Sequence, residues 1–324
     1  MITLNRFFIL FSVTLTTFFI SCTKSESEEV ITPEPEPPKN ETPVVSTPQA
    51  IDVVNLLKTK STQIKSILSE STQKLSEGIT LVNLKYVNAQ DKNMSIHVIV
   101  ADFGYKYVTA QVLNPYNTND KRFQILPDMV RANEEAGTKI HAAVNGDYFS
   151  WSNMETTGPF IYDGIVRKAN PANSTRPSFG ITRTGIPVFL NAPSGYSTVF
   201  SYGDNLLRHL VGGNQWFIYN GQKVTITDTT VEPRTSIGMR EDKKVISIVV
   251  DGRSASHSNG MSYVQLQEVY DALGAKYAFN LDGGGSTIAV VRKENEAIWE
   301  VVNKPSESGP YRALANGVGF VYTN

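Results

Sequence analysis

Three apolar, strand-like runs in this chain each end in an asparagine or aspartate followed by glycine, and this repeated ending constrains the fold more than any other feature. Residues 140–144 lead into Asn145-Gly146-Asp147, residues 245–250 into Asp251-Gly252-Arg253, and residues 276–281 into Asp282-Gly283-Gly284-Gly285-Ser286-Thr287. A polar side chain closing a buried strand sits at the edge of a sheet, and glycine lets the backbone turn sharply there. Between the last two runs, residues 262–273 have helical spacing, with Val264, Leu266, Val269, Tyr270 and Leu273 apolar and Gly274 as the stop. If the strands flanking this helix lie parallel in one sheet, Asp251 and Asp282 project from the same edge. Ligands bind just outside the carboxyl ends of such strands.

The remaining patterning completes the expected fold. Residues 51–77 space their apolar side chains like an amphipathic helix ended by Gly78, so 51–78 is predicted as an N-terminal helix. Residues 126–136 read as a second helix stopped by Gly137. Residues 79–87, 95–101, 106–113, 179–182 and 288–291 read as strands. Asp163-Gly164 and Asn220-Gly221 are predicted hairpin turns. The fold class expected from this is α+β: a mixed, curved β-sheet with packed helices and a β-rich middle, forming one large domain over 79–324.

The N-terminus points to export. Arg6 precedes an apolar run from Phe7 to Ile20, short for a membrane span but suited to a signal peptide. The run ends in Ser21-Cys22, like a bacterial lipobox, so cleavage would leave a lipidated Cys22 and a 1–21 signal peptide. Cys22 is the only cysteine in the chain, which excludes an internal disulfide and a cysteine nucleophile. Residues 22–50 are rich in Glu, Pro, Ser and Thr and read as a disordered tether. The expected location is the bacterial envelope, periplasmic or on the outer surface, with the lipid as the only membrane contact. A formal net charge of −1 gives no electrostatic case for nucleic acid.

The chemistry concentrates in the three strand ends. Gly283, Gly284 and Gly285 free the backbone to form an anion-binding concavity, Ser286 and Thr287 add hydroxyl donors, and Asp282 supplies a carboxylate. Pro233 fixes the approach to Arg234, and a guanidinium suits bidentate contacts to phosphate; Arg253 has the same capacity. His97, His141, His209 and His257 lack metal-ligand spacing. His97 and His141 lie in strand-like runs as structural residues, while His257 lies in the loop after Asp251. A cluster of Asp147, Asp251 and Asp282 would suit a hard cation such as Ca²⁺ or Mg²⁺, although no spacing demands one. No Gly-x-Ser-x-Gly elbow is present.

Seven motifs then occur in a known order. They are Ala142-Ala143-Val144-Asn145-Gly146-Asp147-Tyr148-Phe149; Val211-Gly212-Gly213 with Ile218-Tyr219-Asn220-Gly221; Pro233-Arg234-Thr235-Ser236-Ile237-Gly238; Val250-Asp251-Gly252-Arg253; Gly260-Met261-Ser262 with Gly274-Ala275; Asn280 to Thr287; and Ala315-Asn316-Gly317-Val318. Together, over roughly 79–321, they resemble the phosphodiester glycosidase family. That resemblance implies a hydrolase that splits the C1–oxygen bond of a GlcNAc-1-phosphodiester-like substrate, releasing free sugar and a phosphate monoester. It implies Asp282 as nucleophile or general base, Asp251 or Asp147 as second carboxylate, and Glu268 as a reserve. Arg234, Arg253, Gly213 and the amides of Gly283, Gly284 and Gly285 would face substrate, with Asn145, Ser286 and Thr287 orienting it. Asn214-Gln215-Trp216 departs from the Gly/Pro-rich continuation of the second motif. Two rivals stand beside this reading. One cleaves at phosphorus. The other is a non-catalytic glycan-binding lipoprotein with Tyr148, Phe149, Trp151 and Trp216 as sugar platforms.

Overall fold

The computed structural model describes residues 51–170, 176–191, 201–202, 205–293 and 296–323. The expected signal peptide, Cys22 and the expected tether lie outside the described residues. Among the described residues the protein is mainly β: three sheets and three α-helices, Val53–Lys60, Leu126–Asn133 and Tyr263–Ala272. The first sheet runs Ile64–Ser76, Ile79–Asn88, Asn93–Asp102, Lys244–Val250, Arg234–Arg240, Ala275–Asn280, Trp216–Tyr219, Gln222–Lys223. A second runs Ile165–Lys168, Phe160–Tyr162, Asn205–Gly212, Pro177–Thr182, Pro187–Asn191. The third runs Trp299–Val301, Ala289–Arg292, Thr138–Asn145, Gly317–Thr323, Val108–Leu113.

The first sheet is covered on both faces, and this explains its sequence. Ile79, Leu81, Ile99, Val249 and Phe279 face a core shared with the other two sheets. Val82, Val98, Ile246, Ile248 and Ala278 face the opposite way, against helices Val53–Lys60 and Tyr263–Ala272. A strand apolar on both sides reads as an unbroken run, as residues 245–250 do. Helix Leu126–Asn133 covers the third sheet through Leu126, Met129 and Val130. Ser262 starts the Tyr263–Ala272 helix with a reciprocal capping box to Gln265, and Gly274 at φ +73° leaves it.

Three expectations need correcting. The helices are few and short, so the α+β expectation gives way to a mainly β fold. Every strand pairing among the described residues is antiparallel, so the sheets are not mixed. The predicted helix over 51–78 stops at Lys60; Ile64–Ser76 is an edge strand paired with Ile79–Asn88. The apolar residues at helical spacing also fit a bulged edge strand, and three register shifts along this hairpin accommodate them. Gly78, at φ +73°, turns the hairpin instead of ending a helix. The predicted turns at Asp163-Gly164 and Asn220-Gly221 do occur, each with two consecutive positive φ values.

The shared edge of Asp251 and Asp282 arises in a different way from the one expected. Arg234–Arg240 lies between Lys244–Val250 and Ala275–Asn280 and is antiparallel to both. The outer two strands therefore point the same way without being neighbours.

Candidate active site

The strand end at Asn145 belongs to the third sheet and is tied to the first by its own side chain. Asn145 Nδ2 donates to the Asp282 carbonyl at 2.7 Å, and its Oδ1 accepts from Thr235 Oγ1 at 2.6 Å and the Ile288 amide at 3.1 Å. The Asp282 amide returns to the Gly146 carbonyl at 2.9 Å. Asn145 is therefore a buried staple between sheets, and its hydrogen-bonding groups are committed within the protein.

These links bring Asp147 and Asp282 together. Asp147 Oδ1 accepts from the Tyr148 amide at 2.8 Å and Arg176 Nη2 at 3.0 Å, and Oδ2 accepts from the Gly158 amide at 2.6 Å. Asn316 Oδ1 in turn accepts from the Asp147 amide at 2.9 Å. Gly158 and Gly212 wall this carboxylate: a Cβ on either would lie within 2.9 Å of Oδ2. Burial raises the Asp147 carboxyl to about 6, against the opposing pull of Arg176 and the two amides. Burial also raises Asp282, to about 7; the charge of Asp147 adds to the rise, while Ser286, the Gly283 amide and Arg312 oppose it. Both residues are buried, Asp282 at 9% exposure and Asp147 at 2%.

An aromatic and cationic wall stands beside the pair. Tyr148 and Tyr263 hydroxyls lie 3.3 Å apart, and Asn280 Nδ2 meets them at 2.9 and 3.2 Å. Arg234 stacks on Tyr263, its guanidinium carbon 4.1 Å from the ring centre. Burial pushes the Tyr148 hydroxyl far up, keeping it a neutral hydrogen-bonding group. On the other side, Arg312 Nη1 reaches Ser286 Oγ at 3.3 Å while its other nitrogens pair with Glu307. Asn280 Oδ1, Thr287 Oγ1, Asn316 Nδ2 and Arg176 Nε are buried polar atoms with no hydrogen-bond partner among the described residues. All four belong to residues of this cluster or its loop.

Other expected site residues take different places. Asp251 accepts from the Lys304 amide at 2.8 Å and Asn303 Nδ2 at 3.2 Å, and lies 2.7 Å from His257 Nε2 and 3.4 Å from His97 Nε2. Burial alone would raise it, yet the two histidines and the Lys304 amide hold it below the usual carboxylate range. It is a fully bonded anchor, joined to the Asp282 loop through Asn303, which also donates to the Thr287 carbonyl. Of the glycine amides expected to hold phosphate, that of Gly283 faces Asp282 Oδ1 and that of Gly284 the Pro233 carbonyl. Gly213 is required by packing, since a Cβ there would lie 2.3 Å from the Phe279 ring. Arg234 donates to the Met261 and Thr230 carbonyls, bracing its loop from beneath Tyr263. Arg253 pairs with Glu232 at 2.7 Å and crosses Gly284. Glu268 forms an outer ion pair with Lys223 at 2.9 Å and shares no contact with the carboxyl pair. Among the described residues no group of three or more His, Cys, Asp or Glu is placed to hold a metal ion. Arg176 and Arg312 were missed because each reaches the site from an irregular loop, where no periodicity marks a position.

A mainly β scaffold thus closes two strand ends around a buried carboxyl pair, Asp147 and Asp282, an arrangement suited to acid–base chemistry. Residues 138–321 match the model of the phosphodiester glycosidase family, and the chain belongs to that family. The fold is similar to that of the catalytic domain of zebrafish N-acetylglucosamine-1-phosphodiester alpha-N-acetylglucosaminidase, auto-inhibited by its pro-peptide, with 18% identity and a TM-score of 0.58 over 78% of this chain and 88% of that one. It is also similar to a Synechocystis protein, with 13% identity and a TM-score of 0.61 over 78% of this chain and 64% of that one. A Burkholderia pseudomallei K96243 protein shares 12% identity and a TM-score of 0.55 over 80% of this chain and 97% of that one. Comparison with curated protein sequences gives no match.

Proposed function

We propose that the protein hydrolyses the glycosidic bond of sugar-1-phosphodiesters of the GlcNAc-1-phosphodiester kind, releasing free sugar and a phosphate monoester. The observation that carries this is Asp282, a carboxyl raised to about 7 beside Asp147 and bordered by the cation of Arg312. A phosphate monoester leaves C1 readily without a strong general acid, so the site needs cations for the phosphate and one carboxylate for the sugar carbon. In this reading ionised Asp282 works at C1, as nucleophile or as base to the attacking water. The C1–oxygen bond breaks and its electron pair stays on the phosphate; water supplies the new C1 hydroxyl, directly in the base route and by cleaving the sugar–Asp282 ester in the nucleophile route. Arg312 and Ser286 face that charge, while Tyr148 and Asn280 orient the sugar. Asp147 stays fixed by Arg176 and tunes Asp282.

The products test the proposal. With the methyl ester of GlcNAc-1-phosphate, cleavage at carbon gives free GlcNAc and methyl phosphate. Cleavage at phosphorus would give GlcNAc-1-phosphate and methanol and would favour the phosphodiesterase reading. Saturable binding with no turnover, with or without chelator, would favour the glycan-binding reading. We also propose that the protein acts in the bacterial envelope, tethered by a lipid on Cys22; Cys22→Ser protein that still partitions with membranes would refute this.

A further inference from the structure

We propose that the surface beside Asp147 carries an outer subsite for alternating sugars and phosphates, so that the substrate is a phosphodiester-linked oligosaccharide. The inference rests on the reading of the carboxyl pair given above. It starts from a line of side chains running out from that pair. Phe149, two residues beyond Asp147, packs edge-on against Trp151 at 5.1 Å, and Phe123 packs against both at 4.9 and 5.0 Å. Trp151 is braced on two sides yet 60% exposed, the most exposed large hydrophobic side chain among the described residues. The next residue along from Phe123 is Arg122, whose guanidinium carbon lies 5.5 Å from the exposed Tyr116 ring. Ring, cation and ring therefore succeed one another along the surface. An exposed ring braced by two others offers apolar surface to a pyranose, and the cation beside the rings matches a phosphate.

The adjoining cavity has the same character. It measures about 80 Å³, and its walls include Lys121, Arg122, Arg167 and Lys168 against Asp120 and Glu155. Lys121 and Lys168 share the one Glu155 carboxylate, and Arg122 meets Asp120 only at 3.4 Å. Four cations thus face two carboxylates, an excess of positive charge in a chain whose net charge is −1. Arg167 Nε is buried there with no hydrogen-bond partner among the described residues. Two lining residues, Ala315 and Thr156, connect the cavity to the carboxyl pair. Ala315 precedes Asn316, which accepts from the Asp147 amide, and Thr156 donates to the carbonyl of Gly158, whose amide bonds Asp147. A neutral glycan would use the rings and leave the cations idle; a phosphodiester-linked one uses both.

A two-part experiment tests this. Binding of a synthetic trimer of GlcNAc units joined through 1-phosphodiesters, and of the methyl ester of GlcNAc-1-phosphate, is measured by calorimetry on Asp282→Asn protein. Turnover of both is measured with Asp282 intact. The trimer should bind at least about tenfold more tightly, the scale of one good ring contact plus a phosphate contact. Trp151→Ala should remove most of that advantage, with Trp151→Tyr restoring part of it. Arg167→Gln should weaken trimer binding and flatten its salt dependence, while methyl-ester turnover with Asp282 intact stays within about twofold. Equal affinity for the two ligands, or variants that weaken both alike, overturns the subsite. Methyl-ester cleavage with no trimer advantage refutes the subsite and leaves the reaction standing. A trimer advantage with no cleavage of either ligand refutes the reaction and leaves the subsite standing.

Discussion

Replacing Asp282 by asparagine should abolish turnover and, at alkaline pH, make the protein more stable. The carboxyl is raised from 3.8 to about 7 in the folded protein, mainly by burial and then by the charge of Asp147. A group whose folded value exceeds its unfolded value favours folding in its protonated form. That contribution is complete below about pH 4 and is lost as pH rises through about 7. At about 1.4 kcal/mol per pH unit, ionising Asp282 in the folded state costs on the order of 4 kcal/mol relative to the unfolded chain. Asparagine cannot ionise and can still accept from the Gly283 amide. We therefore expect Asp282→Asn to come within ~0.5 kcal/mol of the parent near pH 4 and to exceed it by ~2–4 kcal/mol near pH 8.5, equivalent to roughly 5–10 °C in Tm. Thermal melts at the two pH values, run beside product analysis, measure both halves. A Tm difference independent of pH would show that the carboxyl is not raised, and residual turnover near the parental rate would remove Asp282 from the chemistry.

The same electrostatics make three further predictions. Turnover should rise with pH through about 7 as Asp282 ionises, and Arg312→Gln, by removing a cation that favours the ionised form, should move that rise to higher pH; a pH–rate profile in which the variant's limb is unmoved refutes it. Arg176→Ala should cost about 3 kcal/mol in chemical denaturation, because it leaves the buried Asp147 carboxylate without its cation, and Arg176→Lys should recover only part of the loss. Glu268→Gln should keep full activity and change stability by less than ~0.5 kcal/mol, since its ion pair with Lys223 is outward-facing; a tenfold loss of turnover would return Glu268 to the site.

How much of this was legible depended on whether a residue's role is local. The buried strands at residues 245–250 and 276–281, the capped helix between them and the Asn-Gly and Asp-Gly turns are all written in short-range pattern. The meeting of Asp147 with Asp282 was legible only as a guess from matching strand ends, because the contact is made between two sheets through Asn145. Arg176 and Arg312 carry no periodic signal, and nothing in sequence pairs them with residues far along the chain. The edge strand Ile64–Ser76 was misread because its few apolar residues fit helical spacing; the ladder it forms with Ile79–Asn88 overrides that local preference. Asp251 was legible as important but not for its reason, since its partners His97 and Lys304 come from distant segments.

The contrast between Asp251 and Asp282 shows how one sheet edge yields two different carboxylates. Both close strands that point the same way, and both are followed by glycine. Asp251 is met by two histidine rings, a backbone amide and Asn303, so its charge is compensated wherever it points and its value falls. Asp282 is met by the Gly283 amide, Ser286 and the more distant Arg312, and it faces Asp147 instead of a second donor set, so its value rises. A carboxylate held as firmly as Asp251 has little to gain from approaching an electron-poor sugar carbon. In the proposed reaction, one kept under-solvated like Asp282 gains a good deal, because cationic charge developing at that carbon would supply the partner it lacks. The anchor and the proposed reactive group thus differ in what surrounds them, and Asn303, bonded to Asp251 and to the Thr287 carbonyl, makes the first a support for the loop that carries the second.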